Sequence, residues 1–116
     1  MHYADIVALA LALPEVAEST SYGTPALKVA GKLMVRQFDQ STIVLRCSWE
    51  QRERLTAASP AVFFFTEHYR QYDWVLVRLA ALAPEAAPGL LSMAWELAAP
   101  PATRKRRGAL RANALP

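Results

Sequence analysis

The chain predicts an α+β fold, an antiparallel sheet of about five to six strands with helices packed on one face. Three observations carry this expectation. Alternating, strand-like segments come in hairpin-sized groups, one between residues 18 and 47 and another between 63 and 79. Helix-forming segments precede, separate and follow those groups. Both groups contain turn residues at short spacing, so consecutive strands join as antiparallel hairpins without crossovers. Helices segregated from the strands in this way cover one face of the sheet. The expected order is a helix, three or four strands, a helix, two strands and a final helix.

Residues 3–13 are apolar nearly all round and rich in Ala and Leu, which predicts a helix stopped by Pro14. Residues 18–22 read as a short polar edge strand. Residues 25–29 and 32–38 form a hairpin, and residues 41–47 make a third clear strand after an Asp39-Gln40 turn. Ser48 suits a helix N-cap with Gln51 in the reciprocal position, for a helix over residues 49–58 that Ser59-Pro60 ends. Residues 63–66 and 73–79 make a second strand pair around an aromatic loop. The last helix begins between Pro84 and Gly89 and runs to Ala98. Pro100-Pro101 closes a single domain of residues 1–100, and residues 101–116 are expected to form a flexible basic tail.

Composition narrows the function classes. A length of 116 residues supports one core and not two, and 53% hydrophobic with 20% charged residues is a globular balance. The longest apolar run, Ile6–Leu13, falls well short of the ~18 residues of a membrane span. Asp5 before it and Pro14-Glu15 after it do not suit a secretory signal, so a cytoplasmic protein without membrane contact is expected. One cysteine, Cys47, excludes an internal disulfide and a cysteine-rich zinc site. The net charge of +3 divides unevenly: residues 101–116 carry +5 with no acid, and residues 1–100 carry −2. Affinity of the body for nucleic acid would therefore need a local patch.

Two segments, Ser21–Lys32 and His68–Leu79, join aromatic, turn-forming stretches to alternating strands and mix basic residues among the aromatics. In the first, the Gly31 turn decides which face each residue takes. A two-residue loop, Ala30-Gly31, would pair Val29 with Lys32 and put Leu27 and Met34 opposite Lys28, Leu33 and Val35, which mixes charge with core. A three-residue loop, Val29-Ala30-Gly31, pairs Lys28 with Lys32, places Lys28, Lys32, Met34 and Arg36 on one face, and buries Leu27, Leu33 and Val35 on the other. The second register separates core from charge and is the one expected. The cations of that face either extend into water or await an anion such as a phosphate backbone.

Tyr69, Tyr72 and Trp74 could form a stacking platform of the kind single-strand binders use. The plainer expectation makes Trp74 core and lets Tyr72 cap the sheet's end, leaving Tyr69 and Arg70 as surface candidates at the loop tip. His68 and Glu67 are chain neighbours that would point to opposite faces, and Cys47 reads as a small core residue. No nucleophile–base pair, three-ligand metal site or phosphate loop appears in the pattern. A non-enzymatic protein without metal or cofactor is expected.

The segments Leu13–Val16, Tyr22–Val29 with Gly31-Lys32, Phe63-Phe64, His68-Tyr69-Arg70, Trp74-Val75 and Ala94-Trp95 together resemble the MmcQ/YjbR family over residues 3–100. The resemblance implies a frataxin-like (CyaY-like) fold, described for that family as a double-wing DNA-binding arrangement. Leu27 stands where relatives commonly carry an aromatic residue, and the basic extension lies outside the shared domain. Frataxin-like iron binding does not carry over, because the first helix lacks an acidic ridge. The leading expectation is thus a DNA-binding domain contacting phosphates through Lys28, Lys32, Arg36, Arg46 and Arg70, with Tyr69 beside them. The tail residues Arg104, Lys105, Arg106 and Arg107 would add non-specific attraction. The alternative is a protein- or small-ligand-interaction module using the exposed sheet face.

Overall fold

A computed structural model describes residues 1–114, with side chains as far as residue 108. Helix α1 spans Tyr3–Leu11, followed by β1 (Val16–Ser21), β2 (Thr24–Val29), β3 (Lys32–Asp39) and β4 (Thr42–Arg46). Helix α2 (Trp49–Ala58) leads to the short β5 (Phe63–Phe64) and, after an aromatic loop, to β6 (Trp74–Arg78). Helices α3 (Ala87–Ala98) and α4 (Pro101–Ala114) end the chain. The strands form one antiparallel sheet in the order β1-β2-β3-β4-β6-β5. This is the α+β class expected from the sequence.

One face of the sheet is dry. Leu27, Val29, Val35, Ile43, Leu45, Val75 and Val77 enter a single core with Ile6 and Ala10 of α1 and Leu91, Ala94 and Trp95 of α3. The Trp95 indole N–H donates to the Pro14 carbonyl at 2.9 Å, which ties α3 to the end of α1. Ser48 caps α2 as its sequence indicates: its hydroxyl accepts from the Gln51 N–H at 3.1 Å, and its own N–H donates to the Gln51 side chain at 2.8 Å.

The expected β2–β3 register is corrected. The turn has two residues, Ala30 and Gly31, with φ of 48° and 85°, and Val29 pairs with Lys32. Both positive values match the hairpin turn whose twist suits the flanking strands. The irregularity lies inside the ladder instead: Lys28 pairs with Leu33 and Leu27 with Val35, leaving Met34 as an extra residue. Met34 and Val35 are consequently both buried in the core. Lys28 does not face Lys32, and Leu33 is half-buried on the face away from the helices rather than in the core.

Residues 101–114, expected to be a flexible basic tail, form the helix α4 in the structure. Pro101 opens α4, where its missing N–H costs nothing, so the Pro100-Pro101 pair separates α3 from α4 without ending the fold. Thr103 and Arg107 are buried. The Arg107 guanidinium donates to Glu96 at 2.9 Å and to the Ser92 hydroxyl at 2.7 Å, and lies 4.8 Å from the Trp95 ring centroid. Arg104 donates to the Ala99 carbonyl at 2.6 Å, and Arg106 pairs with Glu15 at 2.5 Å. Hydrogen bonds from Thr103 and Arg106 hold the Glu15 carboxyl below its ordinary pKa. The Arg111 side chain and residues 115–116 lie outside the described residues.

Two consequences are measurable. Arg107→Ala should lower stability by about 1–3 kcal/mol in urea unfolding, because it removes charged hydrogen bonds from a buried position; unchanged stability would mean that α4 does not pack on α3. The second concerns alkaline pH. Burial pushes the Cys47 thiol from 9.0 up to about 12 and the Tyr3 phenol from 10.0 up to about 12. Above pH 9 the unfolded chain releases protons that the folded chain retains, so folding stability falls as pH rises from about 9 toward 12. Cys47 should also resist thiol reagents at pH 8 until the protein unfolds.

Candidate functional site

The second face of the sheet is neither bare nor fully covered. Ala26, Arg36, Val44 and Leu76 align across β2, β3, β4 and β6, and Arg46 aligns with Trp74 one step along. Residues 65–73 fold over this face as a loop containing a short helical turn at Glu67–Tyr69. The loop is held by Arg52 of α2, a residue only 1% exposed. Its guanidinium donates to the carbonyls of Tyr69 and Tyr72, both at 2.9 Å, and of Arg70 at 2.8 Å. The rings of Trp49 and Phe65 lie 4.7 and 4.3 Å from it. Among the described residues no carboxylate pairs with Arg52, so carbonyl dipoles and ring faces take the place of a counter-ion.

Between loop and sheet lies a cavity of about 690 Å³. The sheet contributes Leu33 and Arg36 from β3, Val44 and Arg46 from β4, and Trp74 from β6; the loop contributes His68, Tyr69 and Tyr72. Ser21 and Tyr22 line it from the β1–β2 turn, and no acidic side chain lines it. Arg36 donates a hydrogen bond to the Tyr69 hydroxyl and lies 5.8 Å from the Tyr22 ring centroid. The Arg46 Nε donates to the Leu33 carbonyl at 2.7 Å, with the guanidinium 4.5 Å from the Trp74 centroid. Neither arginine makes an ion pair with any described residue. Burial pulls the Arg46 pKa down, opposed by the charge of Asp73, yet a guanidinium stays protonated throughout the working range.

Of the residues singled out from sequence, the structure brings Arg36, Arg46 and Tyr69 together in this cavity. Lys28 shares their face at its edge, opposite Leu33. Lys32 pairs with Val29, whose side chain points to the core, so it belongs to the helix-covered side as an exposed rim residue. Arg70 is exposed and paired with Glu67 at 3.2 Å. Arg104, Arg106 and Arg107 engage α3 and Glu15, and Lys105 is exposed on α4. Trp74, expected in the core, is half-buried in the cavity wall, because the face opposite Val75 and Val77 is roofed by the loop and is not a second core.

Arg52 and Tyr22 are contributors that the sequence reading passed over. Arg52 had a signal: it falls three residues after Trp49 and three before Leu55, on the side of α2 that helical spacing turns toward the protein. Tyr22 had one too, since Tyr22-Gly23 between two strands is a two-residue turn. Tyr22 has φ of 52°, and its side chain is 93% exposed.

A profile of the YjbR family matches residues 11–97. The chain belongs to the YjbR family. The matched region contains the whole cavity and leaves α4 outside it. A crystal structure of the Deinococcus radiodurans protein DR2400, a DUF419 domain, superimposes with a TM-score of 0.72 at 24% identity, covering 91% of this chain and 87% of that one. At that identity the likeness shows a shared fold. No curated protein matches the chain. Among the described residues of this YjbR domain, no three of His, Cys, Asp and Glu gather as metal ligands, and no helix is long and apolar enough to cross a membrane.

Arg52→Ala should cost about 2–4 kcal/mol, since it strands three loop carbonyls and the ring stack. Amide exchange across residues 65–73 should rise more than in the core strands. Exchange unchanged in the loop would show that it is held by other contacts. Arg52→Lys should recover only part of the loss, because a compact ammonium cannot span three carbonyls as a planar fork does.

Proposed function

We propose that this YjbR domain is a non-enzymatic nucleic-acid-binding module that meets DNA phosphates on the open face of its sheet. One observation carries the reading: among the described residues, Arg36 and Arg46, diagonal neighbours on adjacent strands, line a cavity without an ion-pair partner and without an acidic wall residue. Guanidinium groups in that state suit phosphate oxygens, which they bind bidentately. The rings of Tyr22, Tyr72 and Trp74 around them supply apolar, π-faced surface for bases or sugars. Lys28 extends the charge along the same face. Three of the α4 cations are engaged by the fold, so the open face is the stronger candidate than the C-terminal helix.

Nothing in the cavity suggests bond-making chemistry. Cys47 is buried with its thiol pushed up to about 12, and His68 packs edge-on against Tyr69 at 4.9 Å. The second reading, a module for a small anionic ligand, is favoured by the concavity of the site, since ligand pockets are concave and mostly apolar with a few convergent polar groups.

The double variant Lys28→Ala with Arg36→Ala should weaken DNA binding to a similar degree across sequences, because phosphate contacts carry no base information. Losing two such contacts should reduce the log–log salt slope by ~1.5. Equal affinity and slope in variant and wild type would remove DNA from this face. Weak salt dependence throughout would favour a mixed interaction surface.

A further inference from the structure

We propose that the open-face cavity takes one unstacked nucleotide, so that the domain prefers single-stranded over duplex DNA; this narrows the nucleic-acid reading above and rests on it. The first support is shape. The two arginines lie inside a cavity of about 690 Å³, walled by the loop and the β1–β2 turn. A walled cavity of this size suits a single small ligand, whereas duplex recognition uses a protruding helix or ribbon placed in a groove. A base inside a duplex is stacked on both sides and cannot reach the rings; an unpaired one can.

The second support is which ring faces are occupied. Trp74 is already covered by the Arg46 guanidinium, and Tyr69 is held by Arg36 and touched by the edge of His68. Tyr22 and Tyr72, 93% and 53% exposed, are the more open rings, with Arg36 5.8 Å from the Tyr22 centroid and His68 6.1 Å from the Tyr72 centroid, and they line the cavity from two separate elements. A nucleotide seated there stacks its base on Tyr22 and directs its phosphate to Arg36 and Arg46.

The third support is backbone strain. Tyr22 occupies the left-handed region, which residues other than Gly, Asn and Asp rarely adopt. Asn would fit the first position of this turn better, and the tyrosine ring buries almost nothing in return. Ala30 takes the same left-handed position in the β2–β3 turn; what sets Tyr22 apart is a large exposed ring on the rim of a cationic cavity, where a ligand can use it.

The test compares a labelled oligothymidylate with the same strand annealed to its complement, by fluorescence anisotropy at low salt, with thymidine monophosphate, thymidine and inorganic phosphate as competitors. Single strand should bind at least about tenfold more tightly than duplex, and the nucleotide should displace it far better than thymidine or phosphate. Tyr22→Asn, which suits the turn and should fold at least as stably, should weaken single-strand binding by about fivefold or more and duplex binding far less. Tyr22→Trp should restore it. Duplex bound as tightly as single strand, or single-strand affinity indifferent to Tyr22→Asn, overturns this inference while DNA binding itself stands. Thymidine monophosphate bound with neither DNA form bound overturns both, in favour of a small-ligand module.

Discussion

The contact between the Arg52 guanidinium and the carbonyls of residues 69, 70 and 72 is the constraint on which the open face depends. A sheet with helices on one side leaves its other face wet, and an irregular loop will stay there only if its backbone polar groups are satisfied. Arg52 satisfies three carbonyls from one planar group, at 2.8–2.9 Å, and is itself flanked by Trp49 and Phe65. Burying a guanidinium without a carboxylate is costly unless dipoles and ring faces surround it, which they do here. The arrangement fixes the loop that carries His68, Tyr69 and Tyr72, and so turns a flat sheet surface into a walled cavity.

The bulge at Met34 is the second determinant, because it decides which side of the sheet Arg36 occupies. With the observed two-residue turn and an unbroken ladder, Leu27 would oppose Met34 and Pro25 would oppose Arg36, sending Arg36 toward the helices. Inserting Met34 shifts the pairing so that Ala26 opposes Arg36 and Leu27 opposes Val35. Arg36 thereby reaches the face of Arg46, while Met34 and Val35 both fill the core. A single extra residue reconciles a charged strand with a dry interior, in keeping with the role of bulges in re-aiming side chains near sites.

Much of the architecture was legible because its signals are local. The Ser48–Gln51 cap, the alternation of β4 and β6, the helix stop at Pro14 and the polar edge strand all follow from neighbours within a few residues. The misreadings were of another kind. The turn at Gly31 was assigned the irregularity that lies at Met34, since alternation alone cannot say where along a hairpin an extra residue sits. Trp74 reads as core from the sequence, because nothing in its own strand reveals that a distant loop roofs the opposite face. Pro100-Pro101 was read as the end of order, although proline is equally at home in the first turn of a new helix. Arg36, Arg46 and Tyr69 were named from sequence, but their convergence depends on the bulge and on Arg52.

The chain's charge takes on a different meaning once α4 is placed. A pI near 9.4 and a run of four consecutive cations suggest broad attraction to polyanions. Yet Arg107 sits against Glu96, Ser92 and Trp95, Arg106 against Glu15, and Arg104 against the end of α3. Cations committed in this way stabilise the fold and have less to offer a phosphate chain. Arg36 and Arg46 differ from them in being few, half-buried and free of ion pairs among the described residues, and in lying among rings. Partial burial strengthens a charge-assisted hydrogen bond and limits what can approach it. On the proposed reading, recognition on this face is therefore governed by the shape that brings one anion to two guanidiniums, and only secondarily by the amount of positive charge the chain carries.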